Sequence, residues 1–103
     1  MPVTRINEFL ARPGQGNALK ERLGKVVPLI AASAGCRSCQ LLQAEDDPTR
    51  IVVIEVWDSA PAHEASLKGF PPETFAETMK LLAAPPTGRY YRISAEVRNG
   101  YTA

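Results

Sequence analysis

One histidine, two cysteines and a single tryptophan in 103 residues leave little material for metal or redox chemistry. A tetrahedral zinc site takes about four ligands, and His63 is distant in sequence from Cys36 and Cys39. The cysteines make a C-x-x-C spacing, but at the head of a predicted strand and not a helix, so nothing there lowers the attacking thiol's pKa. Residues three apart on a strand face opposite ways, and a disulfide between them would distort it. Two small, partly buried thiols are expected instead. The sequence also lacks a G-x-G-x-x-G nucleotide loop and any clustered His, Cys and carboxylate set for iron. The expectation is a protein with no metal and no cofactor.

Charge of one sign is equally scarce. The net charge is +1, from 12 basic and 11 acidic residues, intermixed along the chain. A nucleic-acid binder needs a concentrated positive patch, so that class is set aside. No apolar run is long enough to cross a bilayer, and Met1-Pro2-Val3-Thr4-Arg5 lacks a signal-peptide core. No membrane partner and a cytoplasmic location are expected. Repeats and low-complexity segments are missing too. A composition 45% apolar and 22% charged is that of an ordinary globular domain. It reads as one domain over residues 1–103, with a core at about 3–97 and a polar tail at 98–103.

What the chain does have is the run Ile51 to Trp57, Ile-Val-Val-Ile-Glu-Val-Trp, polar only at Glu55. A strand with one wet face alternates apolar and polar residues; one apolar at nearly every step is covered on both faces. Further strands are predicted over Thr4 to Arg12, Arg37 to Glu45 and Gly88 to Val97. Leu19, Leu23, Val26, Val27 and Ile30 recur at helical spacing, with Asn17 as the expected N-cap, Gly35 as the close and Pro28 inside. Ser59 is the expected cap of a short helix over Ala60 to Lys68. Gly69-Phe70-Pro71-Pro72 breaks it, and a second helix is expected over Glu73 to Ala84, burying Phe75, Met79 and Leu82.

Strand, helix, strand, strand, helix, strand is the βαββαβ order of an α+β, ferredoxin-like antiparallel sheet with its helices on one face. The other face, carrying Val52, Ile54 and Val56, needs cover that so short a chain lacks. A second copy stacked across a two-fold axis supplies it, giving a homodimeric α+β barrel.

A pocket is expected where the helical layer breaks, at Gly69 to Pro72. Period-two parity sets Val53, Glu55 and Trp57 on one face of the third strand and Arg5, Asn7 and Phe9 on one face of the first. Asn7 and Trp57 then give the cavity a polar handle and an aromatic wall beside Phe70, Phe75 and Met79. Glu55, a carboxylate in an apolar strand, needs a partner, and an ion pair with Arg5, Arg89 or Arg92 is the expected one. A general base with a raised pKa is the other option.

The order and spacing of Arg12-Pro13-Gly14, Gly35-Cys36, Ile51 through Ser59, and Glu64-Ala65 with Leu67 resemble the antibiotic biosynthesis monooxygenase domain family. Within it the chain looks most like the quinol monooxygenases, from about Val3 to Ile93. The resemblance implies a homodimeric ferredoxin-like barrel and oxidation of polycyclic phenols or quinols by O2 without metal or flavin. Such chemistry needs a substrate that is its own reductant, an ionised ring electron-rich enough to pass an electron to O2. The protein orients the ring, favours its anion and excludes water.

On this reading His63 is the proton acceptor, Asn7 bonds a ring oxygen, and Trp57, Phe70, Phe75, Met79 and Glu55 hold the small aromatic substrate. Two positions depart from the family pattern. Val53 stands where cofactor-free members often carry asparagine, and Ser66 where many carry histidine, with His63 one helical turn earlier. The haem-degrading branch has an axial histidine in the second helical segment, and none lies between Glu73 and Leu82. A non-redox binding protein or isomerase acting on a small carbonyl compound is the alternative.

Overall fold

A computed structural model describes residues 1–100. Its elements are β1 (Val3–Leu10), α1 (Gly16–Ala31), β2 (Cys36–Gln43), β3 (Arg50–Trp57), α2 (Ala60–Leu67), α3 (Pro72–Met79) and β4 (Thr87–Tyr91). The strands form one antiparallel sheet in the order β2-β3-β1-β4, the ferredoxin-like α+β arrangement read from the sequence. The long apolar strand β3 lies inside the sheet, between β2 and β1. Two turns use glycine where their geometry demands it: Gly14 and Gly35 sit at φ of 77° and 85°.

Several boundaries differ from expectation, each for a local reason. Helix α1 starts at Gly16 with no side-chain cap, so Asn17 lies inside its first turn. A Cβ on Gly16 would run into the Pro48 carbonyl, so the helix is anchored by close approach to the β2–β3 turn and not by capping. The helix stops at Ala31, and Gly35 turns the chain into β2, its carbonyl accepting from Asp58 N at 2.8 Å. Pro28 is inside α1 as expected, and Ser59 caps α2, accepting from Ala62 N at 3.2 Å.

The expected helix over Glu73 to Ala84 is shorter. It ends at Met79 because the following residues bond to the end of β1: Ala83 N to Leu10 O at 2.8 Å and Arg12 N to Leu81 O at 2.9 Å. Leu82 is buried through that bridge, while Phe75 and Met79 are each 47% exposed. The expected fourth strand, Gly88 to Val97, pairs only over Thr87–Tyr91. Tyr91 already faces Thr4, and just beyond Val3 the partner strand runs into Pro2, which has no N–H to donate. Residues 92–100 are exposed; the rest of the expected tail, 101–103, lies outside the described residues.

Parity divides the sheet as expected. Ile51, Val53, Glu55 and Trp57 face the helices and are buried, and with Ala11, Leu19, Leu23 and Leu82 the apolar members Ile51 and Val53 form the main core cluster. Val52, Ile54 and Val56 face the other way beside Ile6, half-buried, with Leu42 44% exposed at the edge. Within one chain that apolar face has no cover. Among the described residues no helix is long and apolar enough to cross a membrane.

Candidate active site

The cavity lies between the inner face of the sheet and the helices, with a volume of about 240 Å³. Arg5, Asn7, Glu55, His63 and Ser66 cluster into a polar end. Val26, Val27 and Ile30 of α1 with Phe70 and Phe75 are among the apolar walls, Thr74 and Thr78 also being in the lining. Phe70 and Phe75 meet edge to face, ring centres 6.2 Å apart, at the break in the helical layer.

Strand register builds the polar end. Cys39, Glu55, Arg5 and Tyr90 stand opposite one another across β2, β3, β1 and β4, a single row on the inner face. Asn7 belongs to the next row, opposite Val53 and Gly88. The missing side chain at Gly88 makes room for Arg5, since a Cβ there would overlap its guanidinium. Arg5 lies over the Tyr90 ring, 4.7 Å from its centre. His63 enters from α2; with Ser59 as cap it falls in the second turn, directed at the sheet and 6% exposed.

Glu55 is 5% exposed and is held by two donors. Trp57 Nε1 donates to its Oε1 and Asn7 Nδ2 to its Oε2, both at 2.8 Å. The expected ion pair is not formed. Arg89 points to the outer face opposite Ile6, Arg92 lies past the end of β4, and the Arg5 Nε donates to Asn7 Oδ1 at 3.2 Å instead. Burial therefore pushes the Glu55 carboxyl above its ordinary pKa, opposed more weakly by the Trp57 bond, the nearby Arg5 charge and the Asn7 bond. The carboxylate is thus held by two neutral donors in place of the expected ion pair.

His63 sits 3.8 Å from Glu55 through Nε2 and 2.6 Å from the Tyr90 hydroxyl through Nδ1. Burial, then the Arg5 charge, lowers its pKa, so the ring is neutral at pH 7. The Tyr90 hydroxyl is pushed up by burial. Trp57, with no exposed surface, stacks edge-on against His63 at 5.4 Å.

The structure brings Asn7, Glu55, Trp57, His63, Phe70 and Phe75 to one cavity. Both Asn7 amide protons are already given, to Glu55 and to Val53 O at 3.2 Å, which leaves one Oδ1 lone pair for a ligand hydroxyl. Met79 is not in the lining; Thr78, one residue earlier and buried, takes the inward direction. Tyr90 was missed because its strand looked like an ordinary edge. Its signal was the alternation of Gly88 and Tyr90, which register sets beside Asn7 and Arg5.

Cys36 and Cys39 are free and partly buried, as expected, and burial raises both thiols, Cys39 to about 12. Neither is a nucleophile at neutral pH. Among the described residues no three His, Cys, Asp or Glu side chains gather into a metal-holding group.

No curated protein sequence matches the chain. Among solved structures, Rv0793 from Mycobacterium tuberculosis is 27% identical with a TM-score of 0.80, over 95% of this chain and 100% of its own. PA3566 from Pseudomonas aeruginosa is 28% identical with a TM-score of 0.74, over 90% of this chain and 95% of its own. SnoaB, a cofactor-independent oxygenase from Streptomyces nogalater, superposes with a TM-score of 0.80 over 95% of this chain and 98% of its own. Its 18% identity makes that a likeness of fold. The family model for antibiotic biosynthesis monooxygenases matches residues 2–81, which span β1 through α3 and nearly all of the cavity wall. The chain belongs to the antibiotic biosynthesis monooxygenase family.

Proposed function

We propose that the protein is a cofactor-independent oxygenase acting with O2 on a phenol or quinol of one or two rings, and that it works as a homodimer. The observation that carries the reading is a mostly apolar slot in whose lining Glu55, His63 and Asn7 gather as one polar cluster. A flat ring enters the slot, and its hydroxyl meets the proton acceptors.

Size narrows the substrate. An apolar cavity of about 150 Å³ takes benzene, and drug-sized ligands occupy about 300–1,000 Å³. At about 240 Å³ the cavity fits one or two fused rings. For a dihydroxynaphthalene the balanced reaction with O2 gives a hydroxynaphthoquinone and water. One oxygen atom enters the ring and the other leaves as water, with all the electrons drawn from the substrate. Ionising the hydroxyl is the protein's part, because the anion gives an electron to O2 far more readily than the phenol.

The Glu55–His63 pair takes that proton, Asn7 accepts from a second hydroxyl, and Trp57, Phe70 and Phe75 orient the ring. SnoaB shares the fold, so this chemistry has a precedent on the same scaffold. The dimer reading rests on the uncovered outer face of Ile6, Val52, Ile54 and Val56, an apolar patch that a second copy would bury.

The test is O2 uptake with a panel of reduced naphthoquinones, with and without chelator. One O2 consumed per hydroxyquinone formed, unaffected by chelator, is expected. No rate above autoxidation across the panel removes the reading. A second reading is favoured by the carboxylate of raised pKa: an isomerase that moves a proton beside a carbonyl group. It predicts product isomers with no O2 consumed.

A further inference from the structure

The cavity's proton acceptors have little contact with water, Glu55 being 5% and His63 6% exposed. Tyr90 stands outside the cavity lining, yet its hydroxyl is 2.6 Å from His63 Nδ1 and it is 37% exposed on the edge strand. Glu55, His63 and Tyr90 thus form a line from the cavity to solvent, with His63 presenting one ring nitrogen to each neighbour. We infer that Tyr90 is the port through which protons leave and re-enter this cavity, acting through His63. The inference rests on the phenol-oxidising reading above and adds a positioning residue to it.

The proton count closes over one turnover. When the substrate ionises, its O–H bond breaks and a Glu55 O–H bond forms, leaving a phenolate. With Nδ1–H donated to Tyr90, the Nε2 lone pair takes the Glu55 proton as the Nδ1 proton passes to the Tyr90 oxygen. The original Tyr90 hydroxyl proton goes to water. His63 is left neutral in its other tautomer, with Tyr90 now donating to Nδ1.

Later, the oxygen atom that leaves as water needs a proton. Nε2–H gives it back through Glu55, Nδ1 takes the Tyr90 proton, and Tyr90 takes one from solvent. The inward step restores the first tautomer. Outward and inward flow therefore reset each other, and no charge accumulates on the imidazole.

The gap of 3.8 Å between His63 and Glu55 is too long for a hydrogen bond in the empty cavity and closes to one with a shift of about 1 Å. Burial before charge favours a neutral His63 and a protonated Tyr90, with Arg5 lowering the Tyr90 pKa and Glu64 and Glu55 raising it. Arg5 of β1 lies over the Tyr90 ring and lowers the His63 pKa; Glu64 of α2 acts the other way on His63. Cys39 of β2 lies beside Glu55 in the same row, protonated at neutral pH. A tyrosine that merely satisfied a buried histidine would need no exposed edge and no ring held by a guanidinium.

The experiment uses 4-nitrophenol, whose anion is yellow, bound to the full chain under argon. A rapid pH jump reads how fast the bound probe gains or loses its proton. Tyr90→Phe keeps the ring and removes the hydroxyl. The expected result is an unchanged equilibrium ionisation of the bound probe with relaxation slowed by about a hundredfold. Diffusible imidazole in the buffer restores the rate in Tyr90→Phe, a response that a purely structural role would not give. Relaxation equal to wild type, failure of imidazole to rescue, or failure of the probe to bind overturns the inference. Because no O2 is present, lack of O2 uptake with normal relaxation removes the oxygenase reading and leaves the port intact.

Discussion

The two faces of the sheet are built from the same strands and do opposite things. On the inner face the row Cys39, Glu55, Arg5 and Tyr90 is almost wholly polar; on the outer face the adjacent row Gln40, Ile54, Ile6 and Arg89 is apolar at its centre and polar only at its edges. The polar row is the one with a buried centre, at Glu55. A globular domain usually does the reverse. The inner face can hold polar groups because the cavity leaves them unpacked and because Asn7 and Trp57 donate to Glu55 while His63 pairs with the Tyr90 hydroxyl. The outer face is apolar where a second chain would lie. One residue of parity separates the cavity face from the uncovered apolar face.

Breaking the outer face should have the largest effect. Ile54→Asp puts an unpaired carboxylate at the centre of the proposed dimer contact, a change costing on the order of 4 kcal/mol or more of association. Sedimentation of the variant should show single chains where wild type shows dimers. A variant that stays as associated as wild type would mean the outer face is not the contact.

Next come the two buried titratable groups of the inner face, whose stability effects have opposite signs with pH. Glu55 has a raised folded pKa, so its contribution is greatest below its unfolded pKa and is lost as pH rises through the folded value. His63 has a lowered folded pKa, so its contribution is present above its unfolded pKa, near 6.5, and is lost as pH falls toward the folded value. Relative to Glu55→Gln, wild type should gain stability on acidification. Relative to His63→Asn it should lose stability below about pH 6.5. Urea unfolding of the three proteins across this range checks both signs, and a common slope for all three would remove the account of the site.

The smallest effect sharpens the boundary of the cavity. Phe75 and Met79 are equally exposed on α3, but Phe75 lines the cavity and Met79 does not. Phe75→Ala should weaken binding of an aromatic ligand by about tenfold, since it removes an edge-to-face ring and its apolar area. Met79→Ala should leave affinity unchanged, with stability within about 0.5 kcal/mol of wild type. Titration calorimetry with 4-nitrophenol compares them directly.

Much of the molecule was legible in the chain because it depended on period and parity. The apolar run of β3 announced a strand, and counting by twos from Trp57 correctly sent Glu55 inward and Val52, Ile54 and Val56 outward. Gly14 and Gly35 marked turns that need positive φ, and Ser59 marked a helix start. The misreadings fall where one segment meets another distant in sequence. Helix α3 ends early because β1 claims the Leu81 carbonyl and the Ala83 amide; β4 ends early because β1 runs into Pro2. Met79 sits at plausible helical spacing, but the turn of about 100° between it and Thr78 decided which one faced inward.

The sequence by itself determined the strand and helix order, the faces of each strand and the burial of one carboxylate, all consequences of local alternation in hydrophobicity. Tertiary structure alone decided what that carboxylate would touch. Register across three strands set Arg5 between Glu55 and Tyr90, Gly88 made the space Arg5 occupies, and α2 delivered His63 to both. Those contacts join residues up to 85 positions apart, from Arg5 to Tyr90, and a shift of one residue in any pairing would have turned each side chain to the opposite face.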